Sequence, residues 1–94
     1  MFDIRFESKN EIVLSGRFDA SEVEKAKSFF EKVDSSSTVD FKVLDYISSA
    51  GLGVLLMTQK RLNEKGHGLT LKNMSRHIQD VFKWARFDLV FKIE

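Results

Sequence analysis

DYISSAGLGVLL, residues 45–56, carries the chain out of an apolar, strand-like segment and into a helix, with two serines at the junction and two glycines just inside it. A glycine in a helix interior costs roughly 1 kcal/mol relative to alanine, so Gly51 and Gly53 answer a need other than helix stability. Serine ahead of a helix is a favoured cap, because its oxygen accepts a hydrogen bond from an otherwise unpaired amide. The same place tolerates a phosphate best, since free amides and the positive end of the helix dipole meet there. Without Cβ atoms, the glycines let a partner's backbone, a kinase active site or a neighbouring element of the fold approach the serines closely.

Upstream of this junction, FDIRFES and EIVLSGRF alternate apolar and polar residues around a turn-forming SKN, which predicts an antiparallel pair over residues 2–8 and 11–17. Asp19 and Ser21 are placed to cap a helix whose apolar positions Val23, Ala26, Phe30 and Val33 fall three and four apart, with DSSS ending it. TVDFKVL is β-branched and apolar enough for the strand that delivers Tyr46 and Ile47 to the serines. Downstream, Leu52, Leu55, Leu56 and Leu62 mark one side of a helix from Ala50 to about Lys65, with Gln59, Lys60, Arg61 and Glu64 on its polar side and EKGHG as its stop. LTLK is a short strand. Asn73 or Ser75 caps a third helix with Ile78, Val81, Phe82 and Ala85 as its stripe, and LVFKI closes the chain as a strand. The order β, β, α, β, α, β, α, β predicts an α/β fold: a mixed sheet with right-handed parallel crossovers and helices packed against it.

Composition narrows the function. The chain has 94 residues with no proline and no cysteine, which excludes disulfides, thiolate zinc sites and cysteine nucleophiles and leaves room for a single core, residues 1–94. A hydrophobic share of 43% with nine phenylalanines is ample for that core and argues against disorder. No run of about 18 apolar residues is present for a membrane span, and MFDIRFESKN is not a signal peptide, so a cytoplasmic address is the expectation. Residues 1–47 hold 7 basic and 10 acidic groups and residues 48–94 hold 8 and 4. That mild basic excess, without a basic run, is a poor match to nucleic-acid binding.

Catalysis finds no constellation. The serines lie outside a G-x-S-x-G elbow, no base is tied to Ser49, and there is no phosphate-binding loop of the G-x-x-x-x-G-K-[ST] type. His67, in a glycine-flanked turn, and His77, at the start of the third helix, read as surface residues rather than metal ligands. No metal and no cofactor is expected. Trp84 and Phe87 read as core or rim packing, and Lys60, Arg61 and Lys65 as a solvated helix face.

DFKVLDYISSAGLGVLL, preceded by LSGRFDASEV, closely resembles the STAS domain shared by anti-sigma factor antagonists and the cytoplasmic tails of sulfate transporters, and most of all the free-standing bacterial antagonists. The resemblance runs along essentially the whole chain and centres on the pattern D-S-[STA]-G-L-G. It implies a mixed sheet of four to five strands with an N-terminal hairpin and about three to four flanking helices. It also implies a non-enzymatic regulator that binds an ATP-dependent anti-sigma factor serine kinase, frees the sigma factor, and lets go once phosphorylated, with room for a phosphatase to reset it. Position by position, Ser49 matches the phosphoacceptor, Gly51, Leu52 and Gly53 match the segment after it, and Ala50 falls within the family's range; with Ser48 they form the expected partner-binding segment. Asp19 and Asp40 match acidic positions that flank the acceptor. Ser48 departs from the pattern, standing where phosphorylated members usually have aspartate. The alternative implied by the same resemblance is a constitutive STAS subunit of a lipid-transport ATPase or a signalling scaffold, without phosphorylation.

Overall fold

Alternating side chains and a two-residue turn fold the first eighteen residues into strands β1 (Phe2–Ser8) and β2 (Glu11–Phe18), paired antiparallel with Phe2 opposite Gly16 and Phe6 opposite Ile12. The computed structural model describes residues 1–94. Gly16 has φ +80°, and a Cβ there would overlap the carbonyl oxygen of Met1, which accepts a hydrogen bond from Arg17 N at 2.8 Å. The rest of the chain alternates: helix α1 (Val23–Phe30), strand β3 (Ser37–Ile47), helix α2 (Ser49–Asn63), strand β4 (Leu69–Lys72), helix α3 (Arg76–Trp84) and strand β5 (Lys92–Ile93). Short 3-10 turns at Ala20–Glu22 and Phe87–Leu89 precede α1 and follow α3.

The sheet runs β1-β2-β3-β4-β5 in sequence order, antiparallel at its first pair and parallel thereafter. Three successive crossovers of one hand put all three helices on one face. Between helices and sheet lies one core of 22 buried residues, among them Ile12, Leu14, Phe18, Val39, Phe41, Leu55, Leu62, Leu71, Ile78 and Phe82. The opposite face is open and charged, carrying Arg5, Glu7, Glu11, Asp40, Lys42 and Lys72.

Several sequence expectations shift. α1 is not capped by Asp19 or Ser21: the chain enters through the 3-10 turn, where Glu22 N donates to Asp19 O at 3.0 Å, and no side chain caps either helix start. The helix stops at Phe30, before DSSS, because Arg61 donates at 2.8 Å to the carbonyls of both Phe30 and Val33 and closes the end from α2. Arg61 is therefore a capping residue and not part of a solvated face. Gln59 is also misplaced by its polarity: it lies on the buried stripe with Leu55 and Leu62, is 5% exposed, donates to Val90 O at 2.9 Å and accepts from Leu69 N at 2.7 Å. Of the two candidate caps for α3, Ser75 accepts from Ile78 N, while Asn73 sits in the left-handed region at φ 59°.

The closing strand is shorter than LVFKI. Phe87 and Phe91 turn inward, with Phe91 5.9 Å from the Phe82 ring, so only Lys92 and Ile93 pair with β4. Phe87 packs as expected, but Trp84 does not: it is 89% exposed. Two positions beyond buried Phe82, it is rotated about 200° around the helix axis and faces away from the core.

Candidate functional site

The parallel register brings the ends of β2 and β3 together, with Phe18 opposite Ile47, and Ser48 N donates to Phe18 O at 2.9 Å. That bond ties the segment after β2, which holds Asp19, to the start of α2. Both lie at the carboxyl end of the parallel strands, the usual location of binding sites in α/β sheets. No helix of the protein is long and apolar enough to cross a membrane.

The structure divides the two serines. Ser48 has extended backbone (φ −85°, ψ 167°), is half-buried, and its Oγ accepts from Gly51 N at 3.1 Å: it is the helix cap. Ser49 is the first helical residue, exposed, with no hydrogen-bond partner for its hydroxyl in the protein. The capping role that explains a serine at a helix start is thus discharged by Ser48 alone. Ser49 Oγ is left free beside the unpaired amides of the first turn.

The two glycines also differ. A Cβ at Gly51 would stand 3.0 Å from Ile47 Cγ1 and 3.1 and 3.2 Å from the Phe18 ring, so the helix packs here against side chains of both strands. A Cβ at Gly53 would meet nothing within 4 Å. Nothing in this fold needs Gly53 to be glycine. Ser49, Gly53 and Met57 are spaced four apart and so share one helix face, and Met57 is 60% exposed. Below it, a shallow cleft of about 240 Å³ opens between α1 and α2, walled by Lys27, Phe30, Glu31 and Thr58.

Of the expected partner-binding residues, Ser49 and Ala50 are exposed and Asp19, Ser48 and Gly53 are half-buried around them. Gly51 and Leu52 are buried against the sheet and contribute to packing rather than to an outer surface. Asp40 does not flank the acceptor. It lies seven residues before Ile47 on β3, about 20 Å down the strand, on the open face of the sheet. There its carboxylate accepts from Lys42 N at 2.8 Å and Asn73 Nδ2 at 3.1 Å. Near it, Lys72 donates to Glu11 at 2.8 Å; this hydrogen bond holds the ammonium pKa above its ordinary value, with partial desolvation opposing and the charges of Glu11, Asp40 and Glu94 adding.

Two residues on the elements that carry the site were not singled out in the sequence. Arg17 lies over the Tyr46 ring at 4.4 Å and within 3.6 Å of the Asp19 carboxylate, a cation held at the rim of the site. Met57 was legible in principle, as an apolar residue two helical turns beyond Ser49 on the same face. His67 Nδ1 lies 3.3 Å from Ser36 Oγ and His77 is exposed; both are remote in the chain from the serine site.

Comparison with known proteins places this geometry among relatives. A family model described as Mlab, STAS domain matches residues 4–92. Over 63 residues the chain is 35% identical to BtrV of Bordetella bronchiseptica, assigned as an anti-sigma factor antagonist; the match takes in 67% of this chain and 54% of the relative. The chain therefore spans about half the length of that relative. SpoIIAA in its unphosphorylated form superposes with TM-score 0.74 at 18% identity, covering 100% of this chain and 87% of the other. The phosphorylated form of this Bacillus cell fate determinant gives 0.72 at 18% identity, covering 100% and 91%. A Thermotoga maritima protein, also assigned as an anti-sigma factor antagonist, gives 0.81 at 16% identity over 98% and 84%. These structural likenesses are likenesses of fold.

Proposed function

This chain belongs to the STAS domain family, and from that premise we propose that it is an anti-sigma factor antagonist, a non-enzymatic regulator switched by phosphorylation of Ser49. The partner is an anti-sigma factor serine kinase that carries the ATP. It docks on the start of α2, around Asp19, Ser48, Ser49, Ala50 and Gly53, and transfers the γ-phosphoryl group to Ser49 Oγ. The observation that carries this reading is the division of labour between the serines: Ser48 caps the helix, and Ser49 is exposed with its hydroxyl unengaged.

The physical consequence is selective. A phosphoserine adds about −1.5 to −2 charges. The free amides and dipole of the first helical turn accommodate that charge internally, whereas a closely packed or acidic partner surface does not. The fold survives and the complex dissociates. A change in partner affinity of about 5- to 150-fold is enough to exchange one partner for another.

Incubation with the cognate kinase and ATP is expected to add one phosphate, located by mass spectrometry on Ser49 and absent from Ser49→Ala. Phosphate on Ser48 would contradict the assignment. Ser49→Asp is expected to weaken the complex while leaving thermal unfolding nearly unchanged, and equal losses of both would mean that Ser49 serves only the helix. One observation favours a second reading. With serine at 48, the cap hydrogen bond is kept but the charge the phosphorylated members carry there is not, as suits a STAS subunit of a lipid-transport ATPase that needs no switch. Co-purification with a membrane ATPase, in place of a soluble kinase, would favour that reading.

A further inference from the structure

At the pole opposite Ser49, α3 ends and the chain turns through Phe87–Leu89 into β5. Hydrogen bonds from Arg86 N to Lys83 O and from Val90 N to Phe87 O hold this turn as a compact knob. Its apolar side chains project outward: Trp84 is 89%, Leu89 77% and Val90 39% exposed. Residues 83–94 carry three cations, Lys83, Arg86 and Lys92, against two carboxylate side chains, Asp88 and Glu94. All three cations are exposed, and none belongs to an ion pair of the fold.

Lys83 alone has an ordinary explanation, since a cation in the last turn of a helix complements the dipole. Arg86 does not. It occupies the left-handed region at φ 63°, immediately after the helix cap, where glycine is the usual residue. A charged side chain is thus kept at a strained position at the tip of the knob. Asp80, the nearest acidic residue on α3, lies one turn back toward the other pole.

We infer that this knob, which exposes Trp84, Leu89 and Val90 together with Lys83, Arg86 and Lys92, rests on an anionic lipid surface. The excess of positive charge selects an anionic occupant. The shape selects the kind: the apolar side chains protrude, whereas a peptide or helix is received by a groove. Tryptophan with flanking lysine and arginine is the composition that settles at a bilayer interface, ring among the headgroups and cations toward their phosphates. The binding is peripheral and reversible, because a single small patch anchors only weakly. It leaves the Ser49 face turned outward from the membrane and does not depend on the phosphorylation proposal.

Trp84 is the chain's sole tryptophan, so its fluorescence reports on this knob alone. The protein is titrated with vesicles of phosphatidylcholine, and of phosphatidylcholine containing one third phosphatidylglycerol, with sedimentation as the second readout. Anionic vesicles are expected to pull down the protein and shift Trp84 emission to the blue, and added salt to reverse both. Lys83→Gln and Lys92→Gln should each lower the partition coefficient about fivefold. Trp84→Ala should reduce sedimentation without altering circular dichroism, and Ser49→Ala should leave it unchanged. Unmoved emission with anionic vesicles, or equal binding to neutral ones, overturns the inference. A blue shift with a polyglutamate peptide and none with vesicles would also overturn it, by assigning the knob to an acidic protein.

Discussion

Replacing Gly53 with alanine tests what the glycine pair is for. Gly53 is inside α2, is absent from the positive-φ glycines, and would place a Cβ in open space. Alanine therefore gains helix propensity and loses nothing internal, a stabilisation of about 0.5–1 kcal/mol. For a domain of this size, about 4–8 °C accompanies each kcal/mol, so the melting temperature should rise by about 2–8 °C. Gly51→Ala starts from the same propensity gain but places its Cβ 3.0–3.2 Å from Ile47 and Phe18. Neither neighbour can withdraw easily, since Phe18 is fully buried and stacked on Phe2 at 4.5 Å. Overpacking of this kind costs about 1–3 kcal/mol, so the net result is a loss of up to about 2.5 kcal/mol. Circular dichroism melts of the two variants should thus move in opposite directions. Calorimetric titration against the cognate kinase should show Gly53→Ala binding at least tenfold more weakly despite its greater stability, because the new methyl stands where a partner's backbone approaches. Melts that shift the same way would refute the packing geometry, and an unchanged affinity would refute the docking role of Gly53.

Ser48→Ala removes the hydrogen bond to Gly51 N and should cost about 1 kcal/mol, read in urea unfolding, whereas Ser49→Ala should stay within about 0.5 kcal/mol of the parent. Gln59→Leu leaves the buried Leu69 amide without its acceptor and should cost about 1–3 kcal/mol; hydrogen exchange should accelerate at Leu69, and slow exchange there would contradict the bridging role. The raised pKa of Lys72 is a stability contribution fully present below the ordinary lysine value of 10.5 and lost as pH rises through the raised value. The difference in melting temperature between the parent and Lys72→Met should accordingly hold through neutral pH and disappear in strong alkali, and Glu11→Gln should abolish it. A difference that persisted unchanged in strong alkali would mean that the ion pair is not its source.

Much of this fold is legible without coordinates, because the signals are local. The hairpin, the serine caps at Ser48 and Ser75, and the stripes of α2 and α3 announce themselves through turn residues, cap positions and apolar periods that repeat every two to four residues, which composition and spacing encode directly. Trp84 reads as packing because it is aromatic, although its two-residue offset from Phe82 turns it outward. The alternating order of those elements predicted the mixed α/β sheet, and the resemblance marked Ser49. What only the tertiary structure decided lies in contacts across the chain. Arg61 and Gln59 look like solvated helix residues until the carbonyls of α1 and the strand after Gly68 are brought to them. Asp40 is near Ser49 in sequence but about 20 Å away because an extended strand separates them. Gly51 and Gly53 are chemically identical, and the presence of Phe18 beside one and open space beside the other divides packing from surface. Local period indicates which residues share a face of an element, but whether a polar side chain on that face meets water or a buried partner depends on groups that come from a distant part of the chain.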